Sequence, residues 1–278
     1  MTKVVLVNDT SLYSTHFGCQ LVGQVFREQF KRIGFDLVLS LPKIFDLGVW
    51  RDHLARADVV VVNGEGSIHH GRNLHLLELA ETYATALMNC VYQDNPDVAA
   101  VKKLVYVSAR ESLSAGDLVR QGVACEVVPD VLFASSFVRS FPVSTQTNEL
   151  CVTDNVVGKR RRFGPLRLRD RADIDALDRT PAQYLSELSS YKAVCAGRFH
   201  AAVVSSILGI PFSTWESNTW KTRGMMDDMG VPHLHFPDRE SALKHVPVEL
   251  DPRIPQYAKA ARSKVEGSFD RLKDAIAG

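Results

Sequence analysis

An arginine and a histidine two residues apart, behind a glycine that ends an apolar strand, are residue types suited to binding and protonating an anion. Gly197-Arg198-Phe199-His200 has that arrangement. Ala193-Val194-Cys195-Ala196 reads as a buried strand, Gly197 as a tight turn, and Arg198 and His200 fall in the first turn of an apolar helix. The free amides and dipole of a helix N-terminus attract phosphate or carboxylate, and two basic side chains there are costly unless such an anion arrives. On the residues alone a second reading stays open, with Arg198 in a surface ion pair and His200 as a satisfied interdomain histidine.

Other chemistry-bearing residues cluster just after predicted strands, where open α/β sheets bind their ligands. Asn8-Asp9-Thr10 follows the first strand, with His16-Phe17-Gly18 further on, and Asn63-Gly64-Glu65-Gly66-Ser67 follows the third. Arg110-Glu111-Ser112 follows the next. Gly64–Ser67 is neither a GxGxxG turn nor a P-loop, so a nucleotide is weakly supported, and Glu65 is either a general base, a ligand to sugar hydroxyls or an exposed turn acid. His69-His70, with His75 nearby, raises a metal site, but adjacent histidines point in different directions and no carboxylate or cysteine completes a ligand set, so none is expected. There is no GxSxG hydrolase elbow.

The elements that must position these residues alternate between strand and helix. Lys3–Val7, Phe35–Leu41, Asp58–Asn63, Leu104–Ser108 and Glu126–Val128 read as strands. Gly18–Ile33, Leu74–Gln93 and Ala115–Gly122 read as helices. Arg139–Asn148 is the linker candidate. Beyond it, strands are expected at Leu150–Thr153, Ala193–Ala196 and Pro211–Trp215, and helices at Pro181–Ser190, Phe199–Leu208, Thr222–Met229 and Ile254–Ile276. This predicts an α/β protein with a Rossmann-like domain at 1–142 and a second at 143–278 that carries a closing C-terminal helix.

Composition bounds the rest. Hydrophobic residues at 45% and charged residues at 23% are ordinary globular usage, and the formal net charge of +1 provides no global field for nucleic acid or an anionic membrane. Basic residues do concentrate at 159–171, a solvated loop or a contact for an anionic substrate or membrane surface, which limits membrane association to peripheral contact. Five scattered cysteines without a CxxC pair read as reduced thiols, and no secretory signal or 20-residue apolar span is visible, so the expected location is cytoplasmic, with the inner membrane face as a place to meet a lipid-carried substrate.

Taken together, Cys195–Phe212, Ser217–Lys221 and Gly224–Gly230 resemble the C-terminal signature of the polysaccharide pyruvyltransferases. Arg110-Glu111-Ser112 with Gly122-Val123 and Pro129-Asp130 is similar to that family's central stretch, and Val62–Ser67 to its glycine-rich turn. The resemblance spans roughly residues 58–230. It implies two Rossmann-like domains facing across a cleft, as in GT-B glycosyltransferases, the 1–142 domain on the acceptor side and the 143–278 domain on the donor side. It also implies transfer of pyruvate from phosphoenolpyruvate to sugar hydroxyls as a ketal, on a surface polysaccharide or its lipid-linked precursor, without a cofactor. Arg110 and Arg198 would clamp the donor's phosphate and carboxylate, Phe199 would add a backbone contact, and His200 would be the general acid. Strand-end position alone suggests Glu65 or Asp9 as base, Lys221 and Asn218 as contacts to the donor phosphate or the acceptor, and Asn8, His16 and Asn63 as acceptor ligands. Two alternatives remain: a glycosyltransferase using a nucleotide sugar, for which Trp215-Glu216 is the visible base-stacking candidate, and a catalytically silent sugar-binding protein.

Overall fold

The structure, a computed structural model of the 278-residue chain, describes residues 1–66, 68–155 and 173–277. Its chain divides into two units: Met1–Ser14, Val22–Ala134 and Ala261–Gly278 form unit 1, and Thr15–Leu21 with Ser135–Ala260 form unit 2. A single cut after residue 142 therefore does not describe the division. Seven residues near the N-terminus join unit 2, and the last helix from Ala261 onward joins unit 1.

In chain order, unit 1 contains β1 (Thr2–Val7), most of α1 (Phe17–Ile33), β2 (Phe35–Leu41), α2 (Leu47–Ala55), β3 (Val59–Asn63), β4 (Ile68–His69), β5 (Thr85–Cys90), β6 (Tyr92–Gln93), β7 (Tyr106–Ala109), α3 (Ser112–Arg120) and β8 (Glu126–Val127). Six of these strands form one parallel sheet in the order β2-β1-β3-β5-β7-β8, and β4 pairs with β6 in a small sheet of its own. The order reverses between β1 and β3, the switch point beyond which such sheets hold ligands. Val59–Val62 lie between β1 and β5 and are at most 1% exposed, which explains four consecutive valines in place of an alternating pattern.

The expected helix at Leu74–Gln93 is absent. Two short 3-10 turns, Leu74–Leu76 and Glu78–Glu81, lead into β5, every residue of which is buried in the sheet. A strand covered on both faces presents the same unbroken apolar run as a buried helix, and spacing alone does not separate them. Helix α2 went unread for the opposite reason: of its nine residues Leu54 is the buried one, leaving little apolar periodicity to detect.

Unit 2 continues with α4 (Ser136–Arg139), β9 (Asn148–Val152), α5 (Pro181–Leu188), β10 (Tyr191–Ala196), α6 (Phe199–Leu208), β11 (Phe212–Trp215), α7 (Lys221–Asp228), β12 (His235–Phe236), α8 (Arg239–Lys244) and the first residues of α9 (Arg253–Ala277). Its four parallel strands run β12-β11-β10-β9. Helix α5 starts on a capping box, Thr180 with Gln183, and has Pro181 in its first turn. Helix α6 is buried from Phe199 through Ser206 and stops at Gly209, whose φ of 72° favours a residue without Cβ. The basic stretch 159–171 lies outside the described residues. Among the described residues no helix is long and apolar enough to cross a membrane.

Candidate functional site

The carboxyl ends of β10 and β11 in unit 2 each feed a helix that lacks a side-chain cap. Helices α2, α3, α4, α5 and α8 are capped by Asp46, Glu111, Ser135, Thr180 and Asp238, whereas α6 begins at Arg198 and α7 at Trp220-Lys221 with no side-chain hydrogen bond to their first amides. Two neighbouring strands thus present basic residues where other helices of the chain present oxygen acceptors, an arrangement that favours an anion.

Each basic side chain is held from behind. The Gly197 amide donates to Thr153 Oγ1 at 2.9 Å, and a Cβ at 197 would lie 2.4 Å from the Trp215 ring and 2.6 Å from the Asp154 carbonyl oxygen. Only glycine fits that turn. Arg198 Nε donates to Asp154 Oδ2 at 2.7 Å and its Nη2 to the same oxygen. Lys221 Nζ donates to Asn218 Oδ1 at 2.7 Å. Arg198, His200 and Lys221 are 9%, 6% and 8% exposed, so the charges of the arginine and the lysine sit where water screens them poorly.

His16 completes the group, within unit 2 and beside His200, not among the acceptor residues expected of the N-terminal loop. The two imidazoles meet edge to face with centroids 5.6 Å apart. His16 Nδ1 accepts the Gly18 amide at 3.0 Å, which puts its proton on Nε2. Burial first, then the nearby His200, Arg198 and Lys221, holds its pKa well below 6.5 and keeps it neutral. Phe17 anchors the segment by stacking on Tyr184 at 3.6 Å between centroids and donating its amide to Ala176 O at 3.1 Å. The His200 ring then rests directly on Gly18, where a Cβ would lie 2.2 Å from Nδ1. A Gly18→Ala substitution is therefore expected to displace His200, lowering activity at least tenfold for about 1–3 kcal/mol of stability; a variant of full activity would show that the contact is not needed.

The unfolded chain binds a proton at His16 near pH 6.5 that the folded chain refuses, so its stability is intact above that pH and falls as acid is added. His235, lowered chiefly by burial, acts in the same direction. Unfolding free energy should fall by up to about 1.4 kcal/mol per pH unit per histidine below pH 6.5, and His16→Asn should remove one histidine's share of the slope in denaturant titrations.

In unit 1 the strand-end residues form a hydrogen-bonded network. Asn8, Asn63 and Asn89 stand at the ends of the adjacent strands β1, β3 and β5. Asn8 Nδ2 donates to Asn63 O at 2.5 Å, Asn89 Nδ2 to Asn63 Oδ1 at 3.2 Å, and Asn63 Nδ2 to Glu65 Oε2 at 3.4 Å. Thr10 Oγ1 donates to the same Glu65 oxygen at 2.5 Å. Gly64 fits because a Cβ there would meet Cys90 Cα at 2.6 Å, so its role is close packing and not a phosphate cradle.

Two expected roles do not fit this geometry. Asp9 is fully buried and bound by Arg27 Nη2 at 2.5 Å and Ser11 Oγ at 2.6 Å, so it is a structural carboxylate and not a base facing substrate. The Arg110 side chain is 1% exposed and its Nη1 donates to buried Asp130 Oδ2 at 2.8 Å, which makes it an internal ion pair of unit 1 and not a donor clamp. His69 and His70 also depart from expectation. The left-handed backbone at His70, φ 53°, turns the rings together and brings the Nδ1 atoms to 2.8 Å. Among the described residues no group of three or more His, Cys, Asp or Glu is gathered for a metal ion.

Comparison with known proteins bears on the same segment. Residues 98–214 match the polysaccharide pyruvyl transferase family. The matched stretch includes Arg110, Asp154, Arg198 and His200 but neither His16 nor Lys221. No curated protein matches the chain significantly. Among solved structures it is similar to a functionally uncharacterised protein of Klebsiella pneumoniae, with a TM-score of 0.58, 12% identity, and coverage of 82% of this chain and 88% of that one. The UDP-GlcNAc 2-epimerase of Methanocaldococcus jannaschii gives 0.52, 11%, 98% and 99%, and a variant O-GlcNAc transferase of Thermobaculum terrenum 0.51, 9%, 99% and 66%. These place the fold in the GT-B-like α/β class.

The nucleotide-sugar alternative loses its stacking candidate to burial. Trp215 is 6% exposed, covers Gly197, and packs with Cys195 and Ala242, so its ring supports the turn and has no face for a base. Sequence reasoning missed Asp154, although it follows a strand-like segment, because a lone aspartate there carries no visible link to Arg198. It also missed Gly18 as the platform of His200 and Asn89, which lies inside the stretch misread as a helix.

Proposed function

We propose that the chain moves a pyruvyl group from phosphoenolpyruvate to the hydroxyls of a surface polysaccharide sugar or its precursor, and that unit 2 holds the donor. The observation that carries this reading is the convergence of Arg198, His200 and Lys221 on His16, at two uncapped helix starts on adjacent strands. Phosphoenolpyruvate has a phosphate and a carboxylate on one three-carbon frame, and a site with separate guanidinium and ammonium groups neutralises both and fixes their orientation. The backbone at Phe199, in the first turn of α6, adds an amide to the anion site.

His200 delivers a proton to the methylene carbon, turning it into a methyl group and leaving an oxocarbenium-like centre that a sugar hydroxyl attacks. A second hydroxyl of the same sugar displaces the phosphate and closes the ketal, and the two hydroxyl protons balance the one donated to carbon and the one left with phosphate or base. Neutral His16 provides a fixed Nε2–H donor beside these charges. For the acceptor we assign Asn8, Asn63 and Glu65 of unit 1, whose side chains are already arranged to hold hydroxyl groups, with Glu65 as the base.

Acceptor-dependent release of inorganic phosphate from phosphoenolpyruvate, with a carboxyethylidene group gained by the glycan, tests the reading; no release across a panel of bacterial-type glycans and lipid-linked sugars would refute it. Arg198→Ala should weaken donor binding by about 2 kcal/mol, roughly 30-fold in Kd. An unchanged Kd in a folded variant would remove Arg198 from the donor site.

A further inference from the structure

We propose that Asp154 is the positioning residue of this site, one carboxylate that holds both the anion-binding arginine and the support of the general acid; the inference rests on the donor assignment above. Asp154 follows β9, whose register pairs Val152 with Cys195, and this sets it beside the Gly197–Arg198 turn. Its Oδ2 takes Nε and Nη2 of Arg198 on one side of the guanidinium. Among the described residues Nη1 makes no hydrogen bond, so the pairing fixes the fork on one side and leaves the other edge for an incoming oxygen. Both side chains keep some access, 10% for Arg198 and 13% for Asp154, unlike the sealed Arg110–Asp130 pair at 1% and 0%.

The other oxygen of Asp154 reaches the second arm of the site. Oδ1 accepts the Ala176 amide at 3.1 Å, Ala176 O accepts the Phe17 amide at 3.1 Å, and the His16-Phe17-Gly18 segment so anchored carries the His200 ring on Gly18. Arg198 and His200 are thus referred to a single carboxylate, and all of these residues lie in unit 2. The charge matters as well as the shape: a guanidinium at the start of α6 faces the positive end of the helix dipole, and Asp154 offsets that repulsion while no anion is bound.

The test is a double-mutant cycle on the full-length chain with phosphoenolpyruvate as probe, comparing Asp154→Asn, Arg198→Ala and the double variant for Kd and for kcat of phosphate release. Asp154→Asn should raise Kd about tenfold, and in the Arg198→Ala background it should raise Kd less than about twofold further, because the arginine through which it acts is gone. It should also lower kcat in both backgrounds, through the Ala176–Phe17–Gly18 support of His200, and Asp154→Glu should recover part of both effects. Should Asp154→Asn leave Kd and kcat unchanged, or multiply in full with Arg198→Ala, the inference falls while the donor assignment stands. A wild-type chain that binds no phosphoenolpyruvate overturns the assignment and the inference together.

Discussion

His200→Gln is expected to fold as the parent does and to bind phosphoenolpyruvate within a few-fold of it, while turnover drops by about 10²–10⁴, the usual contribution of a positioned general acid. The expectation follows from where the ring is held. His200 is the second residue of α6, 6% exposed, packed on Gly18 and with its ring edge to face with that of His16. Glutamine keeps a polar group of similar reach but has no proton to give to carbon. Donor binding is assigned chiefly to Arg198 and Lys221, which donate to Asp154 and Asn218, and the His200→Gln substitution leaves both of those contacts in place. Stopped-flow phosphate release and calorimetric Kd separate the two effects. A His200→Gln variant that turns over at the parental rate would transfer the acid role elsewhere; one that loses binding and turnover in equal measure would make His200 a ligand only.

The second large effect belongs to unit 1 and to stability. Asp130→Ala should lower the unfolding free energy by about 3–5 kcal/mol, because it strands the Arg110 guanidinium in a buried site. Asp130 is 1% exposed, and besides pairing with Arg110 its Oδ1 accepts the Leu132 amide at 3.0 Å, so the turn after β8 is loosened as well. Replacing both partners, Arg110→Met with Asp130→Leu, should recover much of the loss, since a buried ion pair and a well-packed apolar pair are of comparable stability. Urea unfolding of the three variants decides the matter, with donor binding as the control. If the double replacement is stable but has lost phosphoenolpyruvate binding, Arg110 is a donor ligand after all.

The contrast between Arg110 and Arg198 shows how much of the site could be read before the structure. Both arginines follow a strand and both lie in segments resembling one family, so their sequence settings look alike. What separates them is the partner. Asp130 seals Arg110 at 1% exposure, whereas Asp154 steadies Arg198 through Nε and Nη2, on one side of the guanidinium. Neither partner is visible as such in the sequence, since the pairs span 20 and 44 residues. Asp9 was misjudged for the same reason, its cation Arg27 lying 18 residues away, on helix α1.

What the sequence did convey rests on local rules. The apolar strand, glycine and helix start at Ala193–His200 are positioned by backbone geometry and burial, and α6 spans Phe199–Leu208 as its spacing predicts. The runs Phe35–Leu41 and Val59–Asn63 are likewise strands, because β-branched and apolar residues between turn formers have few other stable forms. Reasoning failed where tertiary context overrides spacing, as at β5, and where the chain returns to a unit it has left. Thr15–Leu21 belongs with residues 135–260, so His16 meets His200 across 184 positions of sequence.

The most direct test of the account is calorimetric titration of the wild-type chain with phosphoenolpyruvate and, in parallel, with a panel of nucleotide sugars. Saturable, salt-sensitive binding of phosphoenolpyruvate with no binding of the nucleotide sugars is the predicted result. Tight binding of a nucleotide sugar and none of phosphoenolpyruvate would contradict it.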